Sequence, residues 1–327
     1  MTTLDDIRRP VAAELGELDR MVERHFADDA SPMNEMLAYA LSARGKGVRP
    51  LVVMLSAALC SHTGKVGTRA LLAAMLVEMI HVASLVHDDV IDESLMRRGR
   101  PSVNARWQSR NAVVVGDYIL ARTMSVGMSS AQYDLVQHII GTITVLCEGE
   151  VLQSRHAANR DTDRDSYLEI IRRKTASLLA VSASAGAIAA GASAERAETM
   201  RRYGEMLGMA FQIKDDILDY TGGAATGKPA CNDLRESKIT LPLITLLEDA
   251  GTERRSELMA LLERCREDDG AVAEMCRLVA EGGGIEAAER TMYGYLHRAE
   301  ALLADFGDSP ARQSLVSLCR YVGEREK

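Results

Sequence analysis

Residues 68–93 read TRALLAAMLVEMIHVASLVHDDVIDE. The apolar run is too long for a strand and predicts a long, largely buried helix that ends in carboxylates. Within it, His87-Asp88-Asp89-Val90-Ile91-Asp92 sets three acids at i, i+1 and i+4, so Asp88 and Asp92 share a face. Like charges within one turn repel unless a cation neutralises them. The pattern returns far along the chain as Lys214-Asp215-Asp216-Ile217-Leu218-Asp219. Both pentads have apolar neighbours: Ala83, Leu85, Val86 and Ile91 around the first, Phe211, Ile213, Ile217 and Leu218 around the second. Bare carboxylates among such residues are costly. Magnesium is the natural answer, because it takes hard oxygen ligands from a few carboxylates plus substrate phosphates. One pentad alone reads equally well as a solvated acidic face; two, each embedded in apolar helix, do not.

Working outward, nearly every long segment has helical spacing. An amphipathic stretch covers about Pro10 to Phe26, and Arg49-Pro50 opens a helix to about Cys60. Arg97 to Pro101 breaks the chain, and helices follow from about Ala112, Ala131, Tyr167 and Glu195, the last reaching Tyr220. Thr221 to Asn232 is a Gly-rich loop, and further amphipathic helices run from about Leu241 to Val322. No strand or short repeat stands out, and no linker divides the 327 residues, so the expectation is one all-α domain over 1–327. The scarcity of Phe, three, and Trp, one, agrees with helix over sheet.

The formal charge of -8, with basic residues scattered, argues against a nucleic-acid footprint. Six Cys stand apart with no CxxC pair and no zinc spacing, which suggests a reducing compartment. The N-terminal residues Met1 to Pro10 have no apolar signal segment, and the uncharged run Thr175 to Ala194 is rich in Ala, Ser and Gly, as in a closely packed buried helix. The expectation is a soluble, cytoplasmic protein without stable membrane insertion.

Cations cluster near the acids. Lys46 and Arg49 flank a Gly-bearing break before a helix, where backbone N–H groups can also face an anion. Arg97-Arg98-Gly99-Arg100 follows the first pentad, and arginine suits phosphate through its planar fork. Lys174-Thr175 opens the Ala-rich helix; Lys228 and Lys238 flank the loop after the second pentad. Any one of them alone is more simply a surface cation.

Together these residues resemble the trans-isoprenyl diphosphate synthases. The resemblance spans about Gly45 to Pro242: GKGVRP at 45–50, His81, the run Ala83 to His87 before Asp88 to Asp92, Arg97-Arg98-Gly99, NAVVVGDY at 111–118, GEVLQ at 149–153, Lys174-Thr175, Phe211-Gln212 before Asp215 to Asp219, Gly227-Lys228-Pro229 and KITLP at 238–242. It implies a large antiparallel helix bundle of the isoprenoid synthase type around a central cavity, usually as a homodimer. It also implies that Lys46, Arg49, His81 and Arg98 hold isopentenyl diphosphate. Arg97, Lys174, Thr175, Gln212 and Lys228 would hold an allylic diphosphate such as farnesyl or geranylgeranyl diphosphate. Asp88, Asp92 and Asp215 would bind magnesium, about three ions with the diphosphate. The candidate catalytic set is then Asp88, Asp89, Asp92, Asp215, Asp216 and Asp219 with Lys174. Four departures from the family pattern, Arg44, Gly47, Cys231 and Ser237, bear on loop geometry and on isopentenyl diphosphate affinity.

The implied reaction is ionisation of the allylic diphosphate, attack by the isopentenyl double bond, and proton loss. Growing charge on the departing diphosphate is stabilised electrostatically, and water is kept out. A growing tail must pass the helix face above Asp88, where Ser84 and then Ile80 lie, beside Ala83. No Phe, Tyr or Trp occurs from Leu71 to His87. At ~1.5 Å rise per residue, several turns are open, which predicts a product of roughly C30 to C50. The alternatives are a short-chain synthase (about C15 to C20 on the same rise-per-residue scale) and a regulatory subunit of a heteromeric synthase. A helical terpene cyclase would carry one such motif rather than two.

Overall fold

The structure, a computed structural model, describes residues 3–27, 33–42, 45–221 and 231–326. Among the described residues the regular structure is helical apart from one antiparallel pairing of two-residue strands, Met96–Arg97 (β1) with Arg100–Pro101 (β2), which the sequence does not announce. The helices that matter here are α4 (Val48–Cys60), α5 (Thr68–Ile91), α6 (Val103–Ser129), α7 (Tyr133–Asn159), α8 (Arg164–Ile171), α9 (Ser177–Ala189), α10 (Ala194–Thr221), α11 (Asn232–Arg235), α12 (Leu241–Asp249) and α14 (Asp269–Glu281). Further α-helices among the described residues are α1 (Leu4–Arg8), α2 (Ala12–Phe26), α3 (Asn34–Ser42), α13 (Thr252–Arg264), α15 (Gly284–Leu302) and α16 (Pro310–Glu324). The all-α expectation holds.

Contacts divide the chain into two compact units. Unit 1 comprises 1–144, 178–204 and 305–317; unit 2 comprises 145–177, 205–304 and 318–327. In unit 1, α5 is the core helix. Residues from Ala70 to Ile80 are all buried, which explains why its pattern is apolar all round rather than one-sided. Among the described residues, two helices are long and apolar enough to cross a membrane, Thr68–Ile91 and Tyr133–Asn159, but 78% of the apolar window in the first is buried inside the protein. α9 is buried from Leu178 to Ala187, as its small residues predict. A Cβ at Gly186 would lie 2.2 Å from the Val53 carbonyl oxygen, so glycine is what lets α9 press against α4. Helix α6 begins earlier than its periodicity suggests, at Ser102, whose side chain accepts from the Ala105 N–H, and it is broken at Gln108 (φ 71°).

In unit 2, α8 starts at the cap Asp163, whose carboxylate accepts from the Ser166 N–H at 2.8 Å, and Arg164 ties it to Glu248 of α12 at 2.5 Å. The chain then widens into a π-helical turn over Arg172–Ala176 before α9. Cys231 and Cys276 are joined as a disulfide linking the residue before α11 to α14, which corrects the expectation of six isolated thiols.

Candidate active site

The first acidic motif closes α5 in unit 1. Asp88 lies in the last turn and Asp92 is the C-cap, its N–H donating to the Asp88 carbonyl at 2.8 Å. A helix C-terminus carries partial negative charge, so acids there call for a cation. The middle acid is treated differently. Asp89 is 3% exposed and accepts from Arg97 Nε at 2.9 Å and Nη2 at 2.5 Å. The β1–β2 hairpin returns Arg97 to that carboxylate. His87 packs its ring against Gly116, where a Cβ would stand 2.2 Å from Nε2.

Beside it are three of the four predicted isopentenyl diphosphate residues. Arg49 Nη1 stands 2.9 Å from His81 Nε2. A guanidinium only donates, so Nε2 accepts and the ring proton sits on Nδ1. Burial, then the charges of Arg49, Arg98 and Arg97, hold His81 well below its ordinary value, leaving it neutral. Arg98 has a left-handed backbone (φ 53°), and its guanidinium occupies the space that a side chain at Gly45 would need. Glu78, one turn before His81 and 4% exposed, is the buried acid whose charge opposes the burial effect on Arg98. Gly45, Gly47 and Glu78 border a cleft of about 610 Å³, and the neighbouring Lys46 carbonyl accepts from Arg8. Of the residues predicted to shape product length, Ala83 and Ile80 are buried, while Ser84 is half-buried and donates to the His81 carbonyl at 2.9 Å.

The second motif lies inside α10 in unit 2. Asp215 pairs with Arg325 at 2.5 Å, and that arginine also stacks over Phe211. Asp216 is 4% exposed, and two neutral groups donate to it: Tyr167 Oη at 2.5 Å and Gln212 Nε2 at 2.8 Å. Burial pushes Asp216 up to about 7, with Asp215 and Asp219 adding to the rise and the Tyr167 and Gln212 hydrogen bonds opposing it. Asp219 accepts from the Asn232 and Asp233 N–H groups, each at 3.1 Å, and so fixes the start of α11. Lys174 is held by Glu150 of α7 at 2.5 Å, and the Thr175 hydroxyl donates to Gln212 Oε1 at 2.7 Å. Gly149 permits this close approach: a Cβ there would lie 2.8 Å from the Lys174 backbone nitrogen. Lys174, Thr175, Gln212, Asp216, Tyr167 and Asp233 line a cavity of about 160 Å³.

The structure thus gathers Arg49, His81 and Arg98 in one unit, and Lys174, Thr175, Gln212 and Asp216 in the other. Lys228 and Arg44 lie outside the described residues. Sequence reasoning missed Tyr167, Glu78, Asp233 and Arg325, and it placed Glu150 in the GEVLQ motif without a role. The remaining departures have a backbone explanation. Cys231 and Ser237, where the family pattern has glycine, retain positive φ of 59° and 56°, and Gly47 supplies φ 58° just before α4. Among the described residues, no three or more His, Cys, Asp or Glu are gathered to hold a metal by themselves. That donor set, a few carboxylates at two places, fits a hard cation that brings water and substrate oxygens with it.

The polyprenyl synthetase family profile matches residues 30–279. The chain belongs to this family. Over 323 residues the chain is 35% identical to the all-trans-nonaprenyl-diphosphate synthase (geranyl-diphosphate specific) of Rhodobacter capsulatus, covering 98% of this chain and 97% of that protein. It is 37% identical to the heptaprenyl diphosphate synthase component 2 of Geobacillus stearothermophilus over 96% of each. Its structure superposes on the Caulobacter crescentus polyprenyl synthase, solved with calcium and isoprenyl diphosphate, with a TM-score of 0.92 at 31% identity, over 100% of this chain and 99% of that one. The resemblance read from the acidic motifs, and the helical fold it implied, are both borne out.

Proposed function

We propose that the chain is an all-trans polyprenyl diphosphate synthase that condenses an allylic diphosphate with successive isopentenyl diphosphates, releases diphosphate, and makes a product of roughly C30 to C50. What carries this reading is that both acidic motifs are intact and internally supported: Asp89 by Arg97, Asp216 by Tyr167 and Gln212. A purely regulatory subunit would need neither arrangement.

Asp88, Asp92 and Asp215 are the proposed magnesium ligands, with about three ions accompanying the diphosphate. Bound magnesium supplies neutralisation of charge on the diphosphate oxygens. Lys174 adds a fixed positive charge, Glu150 holding its ammonium in place, and Thr175 and Gln212 orient the allylic diphosphate. Arg97 contributes to that diphosphate as well as to Asp89, and Lys228 has the same proposed role. Arg49, held by neutral His81, joins Arg98 and Lys46 in fixing isopentenyl diphosphate so that its double bond meets the allylic carbon. Asp89, Asp216 and Asp219 shape the motifs from within.

The chain-length half of the proposal rests on small Ala83 and Ser84 and on the absence of aromatics upstream. Incubating the purified chain with farnesyl diphosphate, labelled isopentenyl diphosphate and magnesium, with chromatography of the products, tests it. Ser84→Phe should shorten the product to roughly C15 to C20, because the ring blocks the first turns of the helix face. A wild-type product already that short would remove the long-chain claim and leave the reaction standing.

Residues 1–327 acting as one cytoplasmic domain, and assembly as a homodimer, belong to the same proposal. Val113, Val114, Met124 and Met128 leave apolar surface uncovered on α6, as a subunit contact would. Light scattering should give twice the 35.6 kDa of the chain.

A further inference from the structure

Among the described residues, Cys231 and Cys276 form a disulfide, while Cys60, Cys147, Cys265 and Cys319 are free thiols. Cys231 stands where the family pattern has glycine, and it keeps a left-handed φ of 59°. A β-carbon makes that backbone less favourable, so the change calls for a compensating contact. The structure supplies one, a covalent tie to α14 across 45 positions of sequence. Cys231 is 2% exposed and Cys276 is half-buried. A thiol in solution therefore meets the Cys276 sulfur first.

What the bond holds is one edge of the cavity in unit 2. The Cys231 N–H donates to the Asp219 carbonyl at 2.8 Å, and the next two N–H groups donate to the Asp219 carboxylate at 3.1 Å each. Helix α11 follows and lasts four residues, too short to persist on its own hydrogen bonds. Asp233, within it, lines the cavity beside Lys174, Thr175 and Gln212. Arg235 also joins α11 to Asp269 of α14 at 2.6 Å, but the Asp269 side chain is 90% exposed and such a pair contributes little. Helix α14 is a firm anchor. Asp268 caps it by accepting from the Gly270 and Ala271 N–H groups, and Ala271, Val272, Met275 and Val279 are buried.

We propose that Cys231–Cys276 is a reversible thiol–disulfide site, closed to hold α11 against the cavity and opened by a small-molecule thiol of the glutathione class to lower affinity for the allylic diphosphate. This rests on the synthase reading given above. Four free thiols in the same chain suit reducing surroundings, where disulfides serve as transient or sensing bonds. On opening, the thiolate of the small molecule attacks the Cys276 sulfur, the S–S bond breaks, and Cys231 leaves as a thiolate that takes up a proton. A second small thiol attacks the outer sulfur of the mixed disulfide and frees Cys276. Two small thiols are thereby oxidised to one disulfide, and the protein disulfide is reduced to two thiols. Closing is the reverse, with the small disulfide accepting the two electrons.

The test equilibrates the full chain with glutathione disulfide or with dithiothreitol. Each form is then titrated by calorimetry with farnesyl thiodiphosphate, an allylic analogue that ionises slowly, in the presence of magnesium. Mass spectrometry of an unreduced digest should show the Cys231 and Cys276 peptides joined in the oxidised form only. The reduced form should bind the analogue about tenfold more weakly, because α11 must then be ordered on binding. Isopentenyl diphosphate, whose proposed residues lie in unit 1, should bind both forms equally. Cys276→Ser should bind the analogue as the reduced form does under either condition; if it does not fold, Cys276→Ala takes its place, and the wild-type comparison needs no substitution. Absence of the joined peptide, equal weakening of both ligands, or a redox response that persists in Cys276→Ser would overturn the proposal. If neither form binds the analogue, the synthase reading fails and this inference with it; a joined peptide with equal analogue affinity in the two forms removes this inference alone.

Discussion

The two acidic motifs share the Asp-Asp-x-x-Asp pattern and differ in their surroundings. The first ends a helix; the second sits inside one. In the first, the buried middle acid is matched by a charge: Asp89 lies on Arg97, delivered by a two-residue hairpin. In the second, Asp216 is matched by neutral donors, Tyr167 and Gln212, and stays pushed up to about 7 by burial. The outer acids also differ. Asp92 caps a helix end, whereas Asp219 holds the backbone N–H groups that begin α11. Identical motifs can therefore be supported by an ion pair or by a polar network. What they share is that the middle carboxylate turns inward in both.

The comparison is broken most sharply at the outer acids. Asp88→Asn and Asp215→Asn should each lower kcat/KM for elongation by at least about a hundredfold, as expected when a preorganised electrostatic contact is lost. Steady-state assays with labelled isopentenyl diphosphate check this. Equal retention of activity in either variant would end the claim that the motif acts on the diphosphate.

The next effect is on stability and sets the ion pair against the network. Arg97→Ala leaves Asp89 buried and unpaired, which should cost about 3 kcal/mol in urea unfolding. Adding Asp89→Asn should recover part of that loss, because the uncompensated charge is then gone. No recovery would mean that Arg97 stabilises the hairpin by packing alone.

A smaller effect, with the opposite sign, belongs to the segment after the second motif. Ser237 has a left-handed backbone, and its buried hydroxyl has no hydrogen-bond partner among the described residues. Ser237→Gly relieves both and should stabilise the protein by about 1 kcal/mol, seen as a higher melting temperature.

The smallest concerns pH and the first unit. His81 is held below its ordinary value near 6.5, so the unfolded chain binds the proton more readily. Its contribution to stability is complete above about pH 6.5 and is lost as pH falls from there towards the folded-state value. His81→Gln should therefore flatten the acid limb of the stability profile below about pH 6.5 and leave it unchanged above.

Much of this arrangement is legible in the sequence. The pentads, the arginines behind the first and Lys174-Thr175 are local patterns whose chemistry follows from residue type and spacing. The helices follow from periodicity, and the buried character of α5 from its lack of a polar face. The supports are not legible. Arg325 reaches Asp215 across 110 positions of sequence, and Tyr167 reaches Asp216 across 49, with no spacing to betray either. Tyr167 does stand seven residues before Lys174 on the same stretch, a signal that periodicity alone could have raised. The β1–β2 pairing is too short to leave an alternating pattern. The Cys231–Cys276 link could not be read because the two cysteines stand 45 residues apart with no spacing that pairs them. The glycine departures looked like losses of backbone freedom; the structure shows the left-handed positions kept, now by residues that favour them less.

The most direct measurement is elongation by the purified chain alone, without any partner subunit, followed with labelled isopentenyl diphosphate as magnesium is added and then chelated. The account predicts a magnesium-dependent ladder of all-trans products ending at roughly C30 to C50, abolished by the chelator. An absence of elongation by folded, monodisperse protein would contradict it.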